Sequence, residues 1–260
     1  MNRNYSWFLS LAVLLAALPG FSLGAAGHTA VGGGIAVVPS HSGQAPIVTI
    51  DGGRVRGGAV PGGYVFRGLP YGAPPTGRLR WRAPQPPAEW HGVRDATTFA
   101  PSCPQALGSF TLGPQDEDCL YLNVSTPRLT DHRHEKDLPV LVWIHGGGFT
   151  SGSGRDYDPT TLMAEGVVVV TVNYRLGALG FLSHPALASS PGGSSGNYGL
   201  MDQQAALRWV RFNIEQFGGD ADNVTIAGES AGGTAVLAHL VSRSSRGLFR
   251  RQSWKADPSR

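Results

Sequence analysis

Two runs of this chain are apolar along nearly their whole length, and no other feature constrains the fold as strongly. They are residues 140–144 (VLVWI) and 167–172 (VVVVTV), and residues 224–227 (VTIA) are a third candidate. Strands buried on both faces belong to the middle of a parallel sheet that helices cover on either side. Apolar residues at helical spacing over 202–217, followed by Gly218-Gly219, predict a helix between the last two runs. This order of strand, helix and strand predicts a right-handed parallel crossover, and therefore an α/β fold.

Shorter strands are predicted before this region. Residues 47–56 contain two short strand patterns on either side of Asp51-Gly52-Gly53, which is typical of an N-terminal β-hairpin. Residues 64–67 and 120–124 are two further strand candidates. The prolines of 70–87 predict irregular surface structure between them.

The composition is that of an ordinary globular protein. The 260 residues are enough for one large domain or two small ones, with 41% hydrophobic and 15% charged residues. The net charge of +3 comes from scattered arginines, without a run of five or six basic residues. Because nucleic-acid binding needs a concentrated basic surface, we expect no nucleic-acid partner.

The N-terminus has the pattern of a secretory signal. Arg3 precedes an apolar stretch of twelve residues, 7–18, which is too short to span a bilayer. Small residues at positions 22, 24, 25 and 26 offer a cleavage site, so we predict a signal peptide over 1–26 and a flexible lead-in over 27–46. The alternative is an uncleaved membrane anchor. The signal predicts a secreted or periplasmic protein without a stable membrane span.

The hexapeptide at 228–233 (GESAGG) matches G-x-S-x-G, a turn that presents a nucleophilic serine between a strand and a helix. The strand at 224–227 would have to turn sharply into a helix over 231–241, whose residues 236, 237, 240 and 241 share one apolar face. Glycine at 228 and 232 removes the side chains that would collide there, and Ser230 is left on a strained backbone. The alternative is a glycine turn without a catalytic role, but such a turn would not explain the strand and helix patterns that flank it.

A second glycine-rich motif, 145–149 (HGGGF), directly follows the apolar run at 140–144. Backbone N–H groups of a glycine loop can approach a reacting oxygen closely because no Cβ intervenes. We therefore predict Gly147 and Gly148 as two donors of an oxyanion hole, with Ala231 as the third. A simple tight turn is the alternative. His145, at the start of the loop, is expected to shape the loop and not to transfer protons.

Six motifs together resemble the type-B carboxylesterase/cholinesterase family of α/β-hydrolases, in family order between residues 47 and 250. They are 66–71 (FRGLPY), 117–124 (EDCLYLNV), 145–149, 173–177 (NYRLG), 197–203 (NYGLMDQ) and the serine turn. The resemblance implies a mostly parallel sheet flanked by helices. It also implies hydrolysis of small-molecule carboxylic esters through an acyl-enzyme on Ser230, with no metal or organic cofactor.

The two cysteines, Cys103 and Cys119, are either bonded to each other or two free thiols, and they lack the close ligand pairs of a metal site. The family resemblance implies a disulfide. The segment between them contains no tryptophan, which argues against a choline ester as substrate. Glu229, next to the nucleophile, is predicted either to shape the electrostatics of the site or to belong to a supporting hydrogen-bond network.

The remainder of a catalytic triad is not evident after Ser230. The only histidine there is His239, about 13 Å along the same helix and too far to bond Ser230. The only acid is Asp257, in a polar segment, 251–260, that we expect to be strand-poor and divergent from the family. We therefore expect a truncated or frameshifted domain, or a fragment, with little activity by itself. The alternatives are a non-catalytic binding module of the same fold and a nonfunctional product.

Overall fold

A seven-stranded mixed sheet organises the part of the chain that the computed structural model describes, residues 45–106, 111, 113–129, 137–188 and 195–255. The predicted signal peptide (1–26) and all but the last two residues of the predicted lead-in (27–46) lie outside these ranges. The strands are β1 (Ile47–Ile50), β2 (Gly53–Arg56), β3 (Gly58–Val60), β4 (Gly63–Pro70), β5 (Val93–Asp95), β6 (Tyr121–Thr126), β7 (Leu138–Ile144), β8 (Val168–Val172), β9 (Gly219–Glu229) and β10 (Arg251–Lys255). The α-helices are α1 (Thr160–Ala164), α2 (Gly177–Phe181), α3 (Tyr198–Asn213) and α4 (Ala231–Val241).

The strand order in the large sheet is β10-β9-β7-β8-β6-β4-β3. The strands β10, β9, β7 and β8 pair in parallel, as the apolar runs predict, and β6, β4 and β3 extend the sheet with antiparallel pairs. The predicted N-terminal hairpin is confirmed, because β1 pairs antiparallel with β2 in a separate small sheet that β5 completes. This is the α/β-hydrolase arrangement, in which the parallel strands carry functional residues at their carboxyl ends.

The two apolar runs differ in how deeply they are buried. All five residues of β8 are buried, as expected for a strand covered on both faces. In β7 only Val140, Val142 and Ile144 are buried, while Leu141 and Trp143 are partly accessible. One face of β7 is therefore less completely covered than the composition of the run suggests.

Helix α3 begins at Tyr198, earlier than the predicted start at residue 202. Asn197 precedes it with a φ of 57°, and a short 3₁₀ turn, Ile214–Phe217, continues it to Gly218. Gly218, with a φ of 79°, ends the turn in the left-handed conformation that favours glycine. The predicted apolar face of this helix is confirmed, since Leu207, Val210, Ile214 and Phe217 are all buried.

The predicted apolar face of α4 is wrong. Of its four members only Val236 is buried, whereas Leu237, Leu240 and Val241 are 43%, 42% and 84% exposed. The helix rests on the sheet through its small residues, because a Cβ at Gly232 would lie 2.1 Å from the carbonyl oxygen of Ile144. Close approach of the helix to the sheet decides the orientation, and the larger apolar residues are turned outward.

The expectation of a strand-poor segment after residue 250 is also wrong. Strand β10 pairs in parallel with β9, from Arg251 opposite Thr225 to Lys255 opposite Glu229. All five of its side chains are exposed, so backbone pairing with β9 defines this strand and an apolar pattern does not. Residues 256–260 of the predicted tail, with Asp257, lie outside the described ranges.

Candidate active site

Ser230 lies in the sharp turn between β9 and α4. Its φ of 57° and ψ of −121° fall outside the regions that residues with a Cβ ordinarily adopt. The backbone fixes this conformation: the Ser230 N–H donates to the carbonyl of Lys255 (3.0 Å), and the Ser230 carbonyl accepts from the Thr234 N–H (3.0 Å). The side chain therefore stands at the N-terminus of α4, where the helix presents unpaired N–H groups.

The glycines of the turn are required by close contacts between backbones. A Cβ at Gly228 would lie 2.5 Å from the carbonyl carbon of Gly232. A Cβ at Gly232 would in turn collide with the carbonyl of Ile144, at the end of β7. Both distances are shorter than any ordinary carbon contact, so only glycine lets the strand turn into the helix at this place.

The glycine loop lies directly beside this turn. A Cβ at Gly146 would lie 3.3 Å from the Cβ of Ser230 and 2.8 Å from the carbonyl oxygen of Glu229. Gly147 and Gly148 have φ values of 96° and 63°, which place both in the left-handed region. Neither N–H has a protein acceptor among the described residues, so both donors are available.

Several contacts hold the glycine loop in place. The Gly147 carbonyl accepts from the N–H groups of Thr150 and Ser151, both at 3.0 Å. The Phe149 carbonyl accepts from the Gly177 N–H at the start of α2 (2.7 Å), and the Phe149 ring packs on Phe181 with centroids 5.0 Å apart. The loop is thus fixed to α2 as well as to β7.

His145 stabilises the glycine loop through contacts of its ring and its backbone carbonyl. Its buried ring stacks on Tyr174 with centroids 4.3 Å apart, and its Nδ1 donates to the Gly146 carbonyl at 2.8 Å. The Tyr174 hydroxyl donates to the His145 carbonyl at 2.8 Å. Burial lowers the pKa of His145 to about 4, so the ring is neutral at pH 7. These contacts agree with the expected role in shaping the loop.

His239 is engaged away from the nucleophile. Its Nε2 lies 2.8 Å from Gln203 Oε1, and its Nδ1 lies 3.0 Å from Ser245 Oγ. Burial lowers its pKa to about 4. Because both ring nitrogens have partners on other elements, His239 joins α4 to α3 and to the turn after α4.

Glu229 and Tyr157 both lie close to Gly146 of the glycine loop. A Cβ at Gly146 would lie 3.2 Å from Glu229 Oε2. Burial raises the pKa of the Tyr157 hydroxyl, and the charge of Glu229 raises it further. The ring of Tyr157 packs on Trp143 of β7 with centroids 5.2 Å apart. Tyr157 was not predicted from the sequence, because no motif surrounds it.

The predicted disulfide joins Cys103 and Cys119, which are both buried with Cα atoms 5.0 Å apart. Gln105, two residues after Cys103, bonds to Gly152 just beyond the glycine loop. Sequence analysis missed Gln105, and its place beside a cysteine was the one available signal. In the described ranges no group of three or more metal-binding side chains forms a site, and none of the described helices is long and apolar enough to cross a membrane.

The fold agrees with comparisons to known proteins. The chain matches the Carboxylesterase family over residues 44–254, and it therefore belongs to this family. The match continues past residue 250, where the resemblance was expected to end, and includes most of β10.

Individual relatives are similar to this chain over part of their length. Para-nitrobenzyl esterase of Bacillus subtilis (strain 168) is 47% identical over 222 residues, which cover 82% of this chain and 44% of that protein. Fumonisin B1 esterase of Sphingopyxis macrogoltabida is 51% identical over 191 residues, covering 71% and 35% respectively. A solved structure of a PNB esterase superimposes with a TM-score of 0.72 at 47% identity, covering 80% of this chain and 43% of that one. The chain thus spans less than half the length of these relatives.

Proposed function

We propose that this chain contributes the nucleophile and the oxyanion hole of a serine carboxylesterase that hydrolyses small carboxylic esters. The observation that carries the proposal is the contact between the glycine loop and the serine turn, with Gly146 packed against Ser230 and Glu229. Backbone donors without a protein acceptor in the described ranges, beside a partly exposed serine, form the arrangement that acyl transfer requires. Membership of the Carboxylesterase family supports the same reaction class.

In the proposed reaction Ser230 Oγ attacks the ester carbonyl carbon, and the electron pair of the C=O bond moves onto the oxygen. The N–H groups of Gly147, Gly148 and Ala231 stabilise this oxyanion, and the N-terminus of α4 adds partial positive charge. The oxyanion then collapses, the ester C–O bond breaks, and the alcohol leaves with the proton that the Ser230 hydroxyl gave up during the attack. Water attacks the resulting acyl-serine in the same way, releasing the acid and restoring Ser230.

A general base for Ser230 is not found among the described residues. No hydrogen bond joins Ser230 to a histidine there, and the buried rings of His145 and His239 are engaged elsewhere. A serine hydroxyl without a base is a weak nucleophile at neutral pH. We therefore propose that the 260-residue chain by itself hydrolyses esters only at the residual rate that an oxyanion hole and substrate binding provide.

A chimaera tests the proposed catalytic residues. Residues 44–250 would replace the aligned segment of the Bacillus subtilis para-nitrobenzyl esterase, and hydrolysis of p-nitrophenyl butyrate would be measured. We expect an active chimaera in which Ser230→Ala lowers kcat by about 10⁴-fold or more. A folded chimaera whose activity survives Ser230→Ala would contradict the assignment of the nucleophile.

The unmodified chain tests the missing base. We expect its turnover of the same ester to stay several orders of magnitude below that of the chimaera. Comparable turnover, abolished by Ser230→Ala, would show that a base is present in this chain.

We also propose that the protein is exported through the signal at residues 1–26. The buried Cys103–Cys119 disulfide supports this, because disulfides persist in oxidising compartments. Cell fractionation of the expressed protein, with N-terminal sequencing of the mature form, tests the proposal. An uncleaved N-terminus in the membrane fraction would favour the alternative of an anchor.

A further inference from the structure

We propose that Gln105 is a positioning residue for the oxyanion loop, through which the Cys103–Cys119 disulfide fixes the geometry of that loop. The inference rests on the proposed function, since it assigns Gln105 to the glycine loop of that same site. It concerns a residue outside all of the motifs of the sequence.

The side chain of Gln105 makes a two-point contact with the backbone of Gly152. The Gly152 N–H donates to Gln105 Oε1 at 2.9 Å, and Gln105 Nε2 donates to the Gly152 carbonyl at 3.1 Å. Because both the donor and the acceptor of one residue are held, Gly152 can neither rotate nor shift without breaking a bond. Such paired contacts also fix the orientation of the amide group of Gln105.

The Gln105 side chain is itself anchored to the disulfide. Its Nε2 donates to the carbonyl of Cys103 at 3.1 Å, and its backbone N–H donates to Gln115 Oε1 at 2.9 Å. Ser102 and Gln115 form a parallel bridge beside the disulfide, which links Cys103 to Cys119. The disulfide and this bridge therefore define the position from which Gln105 reaches Gly152.

Gly152 is tightly packed on the base of the glycine loop. Its φ is 107°, and a Cβ there would lie 2.5 Å from His145 Nδ1 and 2.9 Å from the Gly146 carbonyl oxygen. The preceding residue, Ser151, donates its N–H to the carbonyl of Gly147. A displacement of Gly152 would therefore move both His145 and the Gly147 peptide, which carries a proposed oxyanion donor.

Loss of the Gln105 side chain should consequently loosen the loop while leaving the sheet intact. In the described ranges the two bonds to Gly152 are the hydrogen bonds that this side chain makes to the loop, and its loss removes both of them. The apolar core on both sides of β8 does not involve Gln105. The expected effect is thus local and distinct from a general loss of stability.

The test measures amide hydrogen exchange of the 260-residue chain, together with urea unfolding. In Gln105→Met, which keeps the length of the side chain but has no amide, we expect about tenfold faster exchange at Thr150, Ser151 and Gly152. We expect the core strand β8 to exchange as in the wild type. The matched control is Gln85→Met, because among the described residues the Gln85 amide bonds to the nearby carbonyls of Ala83 and Pro84 and to no part of the glycine loop.

A second arm uses the disulfide. Reduction of Cys103–Cys119 should accelerate exchange at the same loop residues, and it should add little when Gln105→Met is already present, because both act through one contact. Gln105→Asn, which keeps the amide but is one methylene shorter, replaces Gln105→Met if the latter does not fold.

The outcomes separate this inference from the proposed function. Unchanged loop exchange in a folded Gln105 variant, or equal acceleration at the loop and in β8, would overturn the positioning role. Hydrogen exchange does not depend on turnover, so a failure of the chimaera to hydrolyse esters would leave this result intact.

Discussion

At the scale of single residues, two neighbouring glycines of α4 have opposite surroundings. A Cβ at Gly232 would lie 2.1 Å from the carbonyl oxygen of Ile144, which belongs to the backbone of β7 and cannot move cheaply. A Cβ at Gly233 would meet its nearest atom, the carbonyl oxygen of Lys255, at 3.2 Å. We expect Gly232→Ala to lower the free energy of unfolding by about 3 kcal/mol or more, because helix and sheet must separate.

Gly233→Ala is the matched control, in the next position of the same helix. The higher helix propensity of alanine offsets the mild crowding there, so its unfolding free energy should stay within about 1 kcal/mol of the wild type. Urea unfolding of both variants makes the comparison. Equal changes in the unfolding free energy would mean that helix propensity determines the effect of alanine at both positions. Close packing of Gly232 on β7 would then not contribute.

The backbone of Ser230 provides a second prediction at this scale. Its φ of 57° and ψ of −121° match the first central position of a type II′ turn, which favours glycine strongly. Ser230→Gly should therefore raise the free energy of unfolding by about 1 kcal/mol, although it removes the proposed nucleophile. Ser230→Ala keeps the Cβ and should not be stabilised. If both variants unfolded at the same urea concentration, strain at Ser230 would not be a significant cost to the fold.

At the scale of elements, His239 joins α4 to α3 through the Gln203 amide, and burial of its ring between them makes stability depend on pH. Burial lowers the pKa of His239 to about 4 from 6.5, so the folded state binds fewer protons than the unfolded state in between. The contribution of the neutral His239 ring to the free energy of unfolding is complete above the pKa of His239 in the unfolded state. This contribution is lost as the pH falls from about 6.5 towards about 4.

The variant His239→Gln should flatten this dependence. Urea unfolding between about pH 6.5 and about pH 4 should show the wild type losing about 1 kcal/mol more per pH unit than the variant. His145, which burial affects in the same direction, is present in both proteins and cancels in the comparison. Parallel pH curves would contradict the pKa shift of His239.

The elements also show how much of the molecule could be predicted from the sequence. The strands β7 and β8 and the apolar face of α3 were predictable because burial alone dictates their patterns. The buried face of α4 was not, since close contact through Gly232 outweighs the attraction of its leucines to the core. Strand β10 was missed because its formation depends on a backbone partner and not on its own exposed side chains.

The residues of the candidate site also fall into those that a local sequence pattern indicates and those that only long-range contacts place there. Ser230 and the glycine loop stand in motifs whose spacing reflects a local backbone requirement, so the sequence indicated them directly. Gln105 and Tyr157 contribute through contacts that join distant parts of the chain, and no local pattern records those contacts. The packing of the chain around Cys103 against the glycine loop is therefore evident only from the structure.

At the scale of the whole molecule, the β10 side of the described sheet carries an apolar strip. Leu237 and Leu240 are 43% and 42% exposed on α4, and Trp254 of β10 is 52% exposed. The Trp254 Cβ would lie 3.4 Å from a Cβ at Gly233, one helical turn from Leu237, so helix and strand form a continuous surface. In the described ranges β10 pairs with β9 alone, which leaves the backbone groups of its other edge available.

A surface of this kind favours self-association, because apolar area and unpaired strand groups lie side by side. We expect the 260-residue chain to associate in a concentration-dependent manner in sedimentation velocity experiments. The double variant Leu237→Glu/Leu240→Glu should weaken this association by at least about tenfold, since two partly exposed leucines no longer gain from burial. Phe212→Glu on α3, where the side chain is 70% exposed, is the control that adds a charge at another exposed apolar position. Association that the double variant leaves unchanged, or that Phe212→Glu weakens equally, would show that the strip on α4 and β10 is not the contact surface.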